Sequence, residues 1–518
     1  MSSDFIPREH SAVSRVELRV FDVVSLMIGI VVGVSIFRVP GSVMERTGWP
    51  ELALGIWALG AFLAFCGALC YAEMASTYPE QGGEYVYLAY AFGPRLAFLF
   101  AWMNVCAILP GNMGAAALIL AGYAGELHPW LAENPIRVAI CSVIVLMLLQ
   151  WCGLRSGKLT QNVLTLAKIL ALLGVFACAL LVPGAASLTG SDAPAATDPR
   201  HSGLSSNEAS GTVSGTVSGT ASGTASEATS DTTAETAAVT KPAPIRFDQL
   251  GLALVFVMYA YGGWSDVACV APEVRNCRRN VPLAMLTGLL LIAVLYLALN
   301  AAFLHSLGFA GLAASQAPAA DVVRRAIGPA GSHAVALLVM ASALGSINGM
   351  MLTGCRLLAA VGEDFRIFRC WNYWNARGVP VWALLTLTGL SCLLMVLIGH
   401  PAGRNVLDQI LQALWLPVPL WEQYHGGFNT LFAATAPGFW IFFLMSGMAL
   451  LVLRFRHPGR PRPFSVPLYP LPPLIFMASA GYMLWSSVRY AGLMTLLLLP
   501  TLLVGGVLML FHPRHRLR

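Results

Sequence analysis

Three stretches place reactive or backbone-breaking residues where the chain is otherwise apolar. The run from Gly29 to Gly41, Gly-Ile-Val-Val-Gly-Val-Ser-Ile-Phe-Arg-Val-Pro-Gly, carries Gly33 and Ser35 midway, then Arg38 and Pro40. A second run, Tyr259-Ala260-Tyr261-Gly262-Gly263-Trp264-Ser265-Asp266, is interrupted by paired glycines and followed by a carboxylate. The third, Thr165-Leu166-Ala167-Lys168, holds one of only three lysines in the chain. None of this is the pattern of an enzyme. No nucleophile–base motif, P-loop or metal cluster stands out, the histidines are scattered, and the eleven cysteines fall in or beside apolar runs as free thiols. No metal or cofactor is expected. The chemistry on offer is that of bare backbone and isolated charge. Hydrocarbon cannot satisfy free N–H and C=O groups, so a helix comes apart at membrane depth only where it lines a cavity or is buried in protein. Discontinuous helices are how secondary transporters build a site near the midplane.

The elements that must carry these residues are membrane spans. The chain has 518 residues, 57% hydrophobic and 11% charged, with a mean hydropathy of +0.70. Repeated apolar runs of about 20 residues identify an all-α polytopic membrane protein. Twelve spans are expected, at about 20–41, 50–76, 93–122, 136–153, 159–183, 248–271, 281–304, 330–361, 379–399, 429–454, 467–488 and 491–511. Arginines concentrate in alternate connections, which by the positive-inside bias puts both termini in the cytoplasm. The net charge of +6 is spread in short groups and is no nucleic-acid signal. Residues 1–19 are charged and lack a signal peptide's apolar core, so the first span is expected to anchor itself.

Residues 184–247 are Ser/Thr/Ala/Gly-rich with a tandem Ser-Gly-Thr unit, the composition of a disordered exterior loop. They divide the chain into a first repeat at 20–183, a second at 248–454, and a closing segment at 455–518. The glycine-broken spans hold the first place in each five-span half, which points to an inverted repeat with its site between them. Segments around 308–331 and 401–428 suit amphipathic connections on the exterior face, the latter with Trp415, Trp421 and Tyr424 as interfacial anchors.

Several motifs in order make the chain recognisable. Ile28 to Pro40 is similar to a Gly-Ser-Gly-Ile-Phe stretch, and Tyr71-Ala72-Glu73 with Gly82-Gly83-Glu84-Tyr85 to a second-span exit. Ala260-Tyr261-Gly262-Gly263-Trp264, with Pro272-Glu273, Asn276, Arg279-Asn280 and Pro282, resembles a sixth-span signature. Gly345-Ser346-Ile347-Asn348-Gly349 with Arg356, and Arg462-Pro463-Phe464 with Val466-Pro467 and Tyr469-Pro470, complete the set. Together they resemble the amino acid–polyamine–organocation (APC) superfamily of permeases, closest to the L-type amino-acid transporter and basic amino-acid antiporter branch.

The resemblance implies a LeuT-like bundle of twelve helices, a five-plus-five inverted repeat with helices 1 and 6 broken. It implies that the substrate α-carboxylate is held at Gly33, Val34, Ser35 and Ile36, where a half-helix dipole favours an anion. The α-ammonium group goes to carbonyls at Tyr259, Ala260 and Gly262, and Tyr259 holds the aromatic position that covers the substrate, with packing in the bundle as the alternative. Lys168 matches a lysine that replaces a sodium ion of sodium-coupled relatives. It either carries a proton, as a buried ammonium can, or is a fixed charge on the broken helix; both readings dispense with sodium.

The sequence departs from the pattern at four places. Val34 and Ser35 replace a serine and a glycine, while Arg38 and Asp266 introduce charge. Ionisable groups inside a span are functional candidates by default, though Arg38 can snorkel outward and Asp266 can cap a half-helix. Glu73 is expected to pack against loop amides, and Glu273 stands near the cytoplasmic mouth as a candidate inner-gate residue. L-type animal members bind a partner glycoprotein through a cysteine between spans 3 and 4; residues 123–135 have none, so no disulfide-linked heavy chain is expected. The expected activity is sodium-independent amino-acid transport, by exchange or with protons, with lipid as the surrounding partner. A polyamine or other organocation transporter and a non-transporting sensor are the alternatives. The arginine-heavy basic set points to a bacterial inner membrane.

Overall fold

The computed structural model describes residues 18–182, 247–413, 415 and 428–510. The 184–247 loop, apart from Phe247, lies outside the described residues, as do residues 1–17, Trp421, Tyr424 and the final arginines. Among the described residues the chain is helical, with two isolated bridges, Leu18 to Val274 and Trp374 to Pro380.

The first expected span is broken, into α1 (Val20–Val31), a 3₁₀ turn (Val34–Phe37) and α2 (Val39–Thr47). Next come α3 (Pro50–Thr77), α4 (Glu84–Phe92), and α5 (Pro94–Met103) joined to α6 (Leu109–Gly125) by a π-turn at Asn104–Ile108. The short α7 (Pro129–Glu133) leads to α8 (Pro135–Trp151) and α9 (Leu154–Leu181). The sixth expected span is α10 (Phe247–Ala260) followed by a 3₁₀ helix at Trp264–Glu273. Then come α11 (Cys277–Ala314), α12 (Pro318–Ile327), α13 (Ala330–Asp364), α14 (Val381–Gly399) and α15 (Pro401–Ala413). The last three are α16 (Phe428–Arg456), α17 (Leu471–Ala491) and α18 (Leu498–Leu510).

Among the described residues nine helices are long and apolar enough to cross a membrane. Three shorter apolar helices, Val20–Val31, Pro135–Trp151 and Leu498–Met509, stand where the other three spans are expected. The sequence reading missed α4 as a separate helix. Gly93, at φ 95°, separates it from Pro94 at the start of α5, so one continuous span could not form there. The 3₁₀ form of the second half of span six also differs from an ordinary half-helix; Pro272 lies inside it and has no N–H to give.

Two helices show how sequence periodicity aims the polar groups. On α9 the exposed side chains Leu159, Val163, Leu166, Leu170 and Leu173 recur at helical spacing. The buried ones, Gln161, Thr165, Lys168, Leu172 and Val175, recur with the same spacing on the opposite face. An apolar stripe faces lipid, and the polar stripe turns inward with Lys168 in it. On α13, the candidate span with the largest buried share (78% of its window), Ser342, Ser346, Gly349, Thr353 and Arg356 fall on one buried stripe.

Ion pairs close one end of the bundle. The buried Glu73 carboxylate accepts from Arg454 at 2.8 and 2.5 Å and from the Val466 N–H at 2.7 Å, with Arg462 Nε 3.3 Å away. This ties α3 to the end of α16 and the loop after it. Nearby, Arg356 grips Glu273 through two nitrogens at 2.5 and 3.1 Å. Backbone bonds from Leu18 N–H to Glu273 O (2.8 Å) and from Arg275 N–H to Leu18 O (3.0 Å) stitch the stretch before α1 to the end of span six. Replacing Glu73 with Gln removes the charge these donors share. The expected cost is roughly 1.5–3 kcal/mol, read as a lower melting midpoint of the detergent-solubilised protein; an unchanged midpoint would mean that water satisfies the arginines equally well.

Candidate functional site

A helix that ends inside a bundle leaves carbonyl groups without intrahelical partners. At the end of α1 each of these is accounted for. Ile28 O accepts from Val32 N–H at 2.9 Å, and Val31 O from Gly33 N–H at 2.7 Å. Gly29 O accepts from Lys168 Nζ at 2.8 Å and from Ser346 Oγ at 3.1 Å, with that hydroxyl 3.4 Å from Ile30 O. Val32 O accepts from Ser342 Oγ at 3.1 Å. One turn earlier, Thr165 Oγ1 donates to Ser25 O at 3.0 Å. The break is therefore held open by α9 and α13, whose polar stripes converge on it.

The second break faces the first. Gly263 sits at φ 98°, a left-handed conformation that favours glycine, and an added Cβ would stand 2.7 Å from Ile30 Cγ2. The two interruptions are thus packed together. Tyr296 of α11 joins them: its hydroxyl lies 3.0 Å from Val31 O and 3.2 Å from Ala260 O, and Ser35 hydrogen-bonds to the same phenol. Tyr259 O is taken by Gly262 N–H at 3.0 Å.

Between the breaks lies a cavity. Of the residues singled out in the sequence, Gly33, Val34, Ser35, Tyr259, Gly262 and Asp266 line it. Ile36, Ala260 and Lys168 are fully buried and stand behind the wall. Lys168 reaches the site only through the Gly29 carbonyl. Arg38 is exposed at the start of α2. An aromatic wall closes the far side, with Phe439 and Phe443 ring centroids 4.3 Å apart and Trp264 edge-on to Phe443 at 5.5 Å.

Sequence reasoning missed several residues on this surface. Ser346 and Glu84 were visible inside motifs but were given no part in the site; both line the cavity. Asn104 also lines it, from the π-turn between α5 and α6. Its signal was present, because Pro110 two residues into α6 withholds an N–H and loosens the turn before it. Tyr296 gave no local signal, since an aromatic residue in an apolar span is ordinary.

Residues 18–504 match the amino acid permease family. The chain belongs to that family. This permease is 25% identical over 456 residues to the b(0,+)-type amino acid transporter 1 of Homo sapiens, covering 87% of this chain and 79% of the relative. It is 24% identical over 474 residues to the serine/threonine exchanger SteT of Bacillus subtilis (strain 168), covering 91% of each. To the cystine/glutamate transporter of Homo sapiens it is 25% identical over 453 residues, 86% of this chain and 75% of that one. The permease is accordingly an integral membrane protein of the all-α APC fold, and the expected family and fold class stand.

The phenol shared by both breaks generates a test. Tyr296→Phe keeps the ring and leaves the Val31 and Ala260 carbonyls without that donor, a loss of about 1–3 kcal/mol. The melting midpoint of the purified protein is expected to fall, whereas a midpoint equal to the parent's would show that the breaks do not depend on the hydroxyl.

Proposed function

We propose that this permease is a secondary active transporter that moves amino acids by alternating access, without sodium, as an exchanger or together with protons. The observation that carries the reading is the facing of two broken spans across one cavity, with a lysine ammonium on a carbonyl of the first break. N–H groups at the start of a 3₁₀ turn have no partner within it. Those of Val34 and Ser35, beside Gly33 and Ile36, are the proposed seat of the α-carboxylate. The α-ammonium group goes to the carbonyls of Tyr259, Ala260 and Gly262. The first two already accept one hydrogen bond each, and a carbonyl has a second lone pair for another. Tyr259 is the proposed cover over the bound substrate. Lys168 takes the place of a coupling cation.

Twelve spans, the five-plus-five inverted repeat at 20–183 and 248–454, cytoplasmic termini and a bacterial inner membrane belong to the same proposal. With no cysteine in 123–135, a disulfide-linked heavy chain has no place in it. No catalytic reaction is proposed. Alternating access requires that substrate bind outward- and inward-open states with different free energies, or it could not shift their populations.

The test uses purified full-length protein in liposomes, a panel of labelled amino acids and no sodium. Uptake only into vesicles preloaded with unlabelled amino acid is the result expected of an exchanger. Uptake into empty vesicles under an inward proton gradient is the result expected of a symporter. Adding sodium is expected to leave the initial rate within about twofold, well under the tenfold that 1.4 kcal/mol of coupling would produce. Binding with no uptake under any condition would replace transport with sensing.

A further inference from the structure

The cavity does not end at the two breaks. A smaller recess continues from it, lined by Glu84, Asp266, Cys269 and Thr353. Glu84 and Asp266 line both spaces and lie close enough to repel one another electrostatically. Tyr71 donates its hydroxyl to Glu84. The Asp266 side chain, half-buried at the cavity wall, meets no hydrogen-bond donor and no cation among the described residues. The Tyr87 hydroxyl, close to Glu84, is fully buried and also without a partner. No lysine or arginine lines either space. Arg356, within electrostatic reach of Cys269, is already held by Glu273. An unpaired carboxylate inside a span is costly, and a second carboxylate beside it adds to the cost. A cation supplied by the ligand removes both penalties.

We propose that Asp266, with Glu84 beside it, forms a subsite for a second ammonium group, so that the permease takes amino acids with a cationic side chain. The inference rests on the amino-acid transport reading above and names its substrate class. Geometry sets the length of the ligand. Asp266 follows Gly263 by three residues of 3₁₀ helix, about 6 Å along the span at 2 Å per residue. A substrate held by its α-groups at the breaks therefore reaches the carboxylates with a side chain of three or four methylenes. Glu84, held by the Tyr71 hydroxyl, faces the far end, and the aromatic wall packs against the methylenes.

The test is equilibrium binding of labelled L-lysine and L-norleucine to the full-length protein in detergent. The two share a carbon skeleton and differ in the terminal ammonium group. Lysine is expected to bind at least tenfold more tightly. In Asp266→Asn the lysine-to-norleucine affinity ratio is expected to fall at least tenfold, and in Asp266→Glu to recover. If Asp266→Asn elutes as aggregate, Glu84→Gln provides the second variant, with the ratio again expected to fall. Cadaverine, which has both ammonium groups and no carboxylate, is expected to compete at least tenfold more weakly than lysine; equal competition overturns the assignment to amino acids and leaves a dication site. Equal affinity for lysine and norleucine overturns the subsite while leaving amino-acid transport intact. An unchanged ratio in the variants, or norleucine uptake that follows a proton gradient and is lost in Asp266→Asn, also overturns it and makes the carboxylate a proton site. Failure to bind any amino acid would instead bring down the transport reading.

Discussion

The structure depends on one constraint, that no backbone carbonyl can stay bare at membrane depth. A soluble protein could open a helix in its core and let water in. Here the carbonyls of Gly29, Ile30, Val31 and Val32 are met by Lys168, Ser346, Tyr296 and Ser342, from three separate helices. The polar stripes of α9 and α13 exist to serve that opening. Their small side chains also let Ile30 pack against Gly349, where an added Cβ would come within 2.4 Å of its Cγ1. The break is thus a joint property of four helices.

That joint character explains what could be read from the sequence. Spans, the two interruptions and the inward lysine were legible because each leaves a local mark: apolar length, glycine and proline, or a charge on the inner face. The order of motifs made the family legible as well. Ile36 and Ala260 were grouped with the cavity residues because backbone function says nothing of where a side chain goes; both prove fully buried. Glu84 was quoted as part of an exit motif, and only the turn of α4, begun by Gly83 at φ 52° and ended by Gly93, brings its carboxylate beside Asp266. A contact between residues about 180 positions apart has no signature in either stretch.

Charge is distributed unevenly around the cavity. The cations of the core are committed to backbone or to carboxylates: Lys168 to Gly29, Arg356 to Glu273, Arg454 to Glu73. Each such pairing offsets a desolvation penalty and fixes two helices relative to each other. The cavity wall carries only the opposite sign. Among the described residues the cavity wall keeps a carboxylate that no guanidinium or ammonium of the chain meets, which is the charge the proposed second ammonium would answer.

The bonds between Leu18 and the end of span six run entirely through backbone atoms. The pairing itself does not read side chains, but the Leu18 side chain beside it is buried in the core. Only a residue that cannot donate an N–H at position 18 would break the first of these bonds. The first and sixth spans, which carry the two breaks, are thereby yoked at one end through main chain alone.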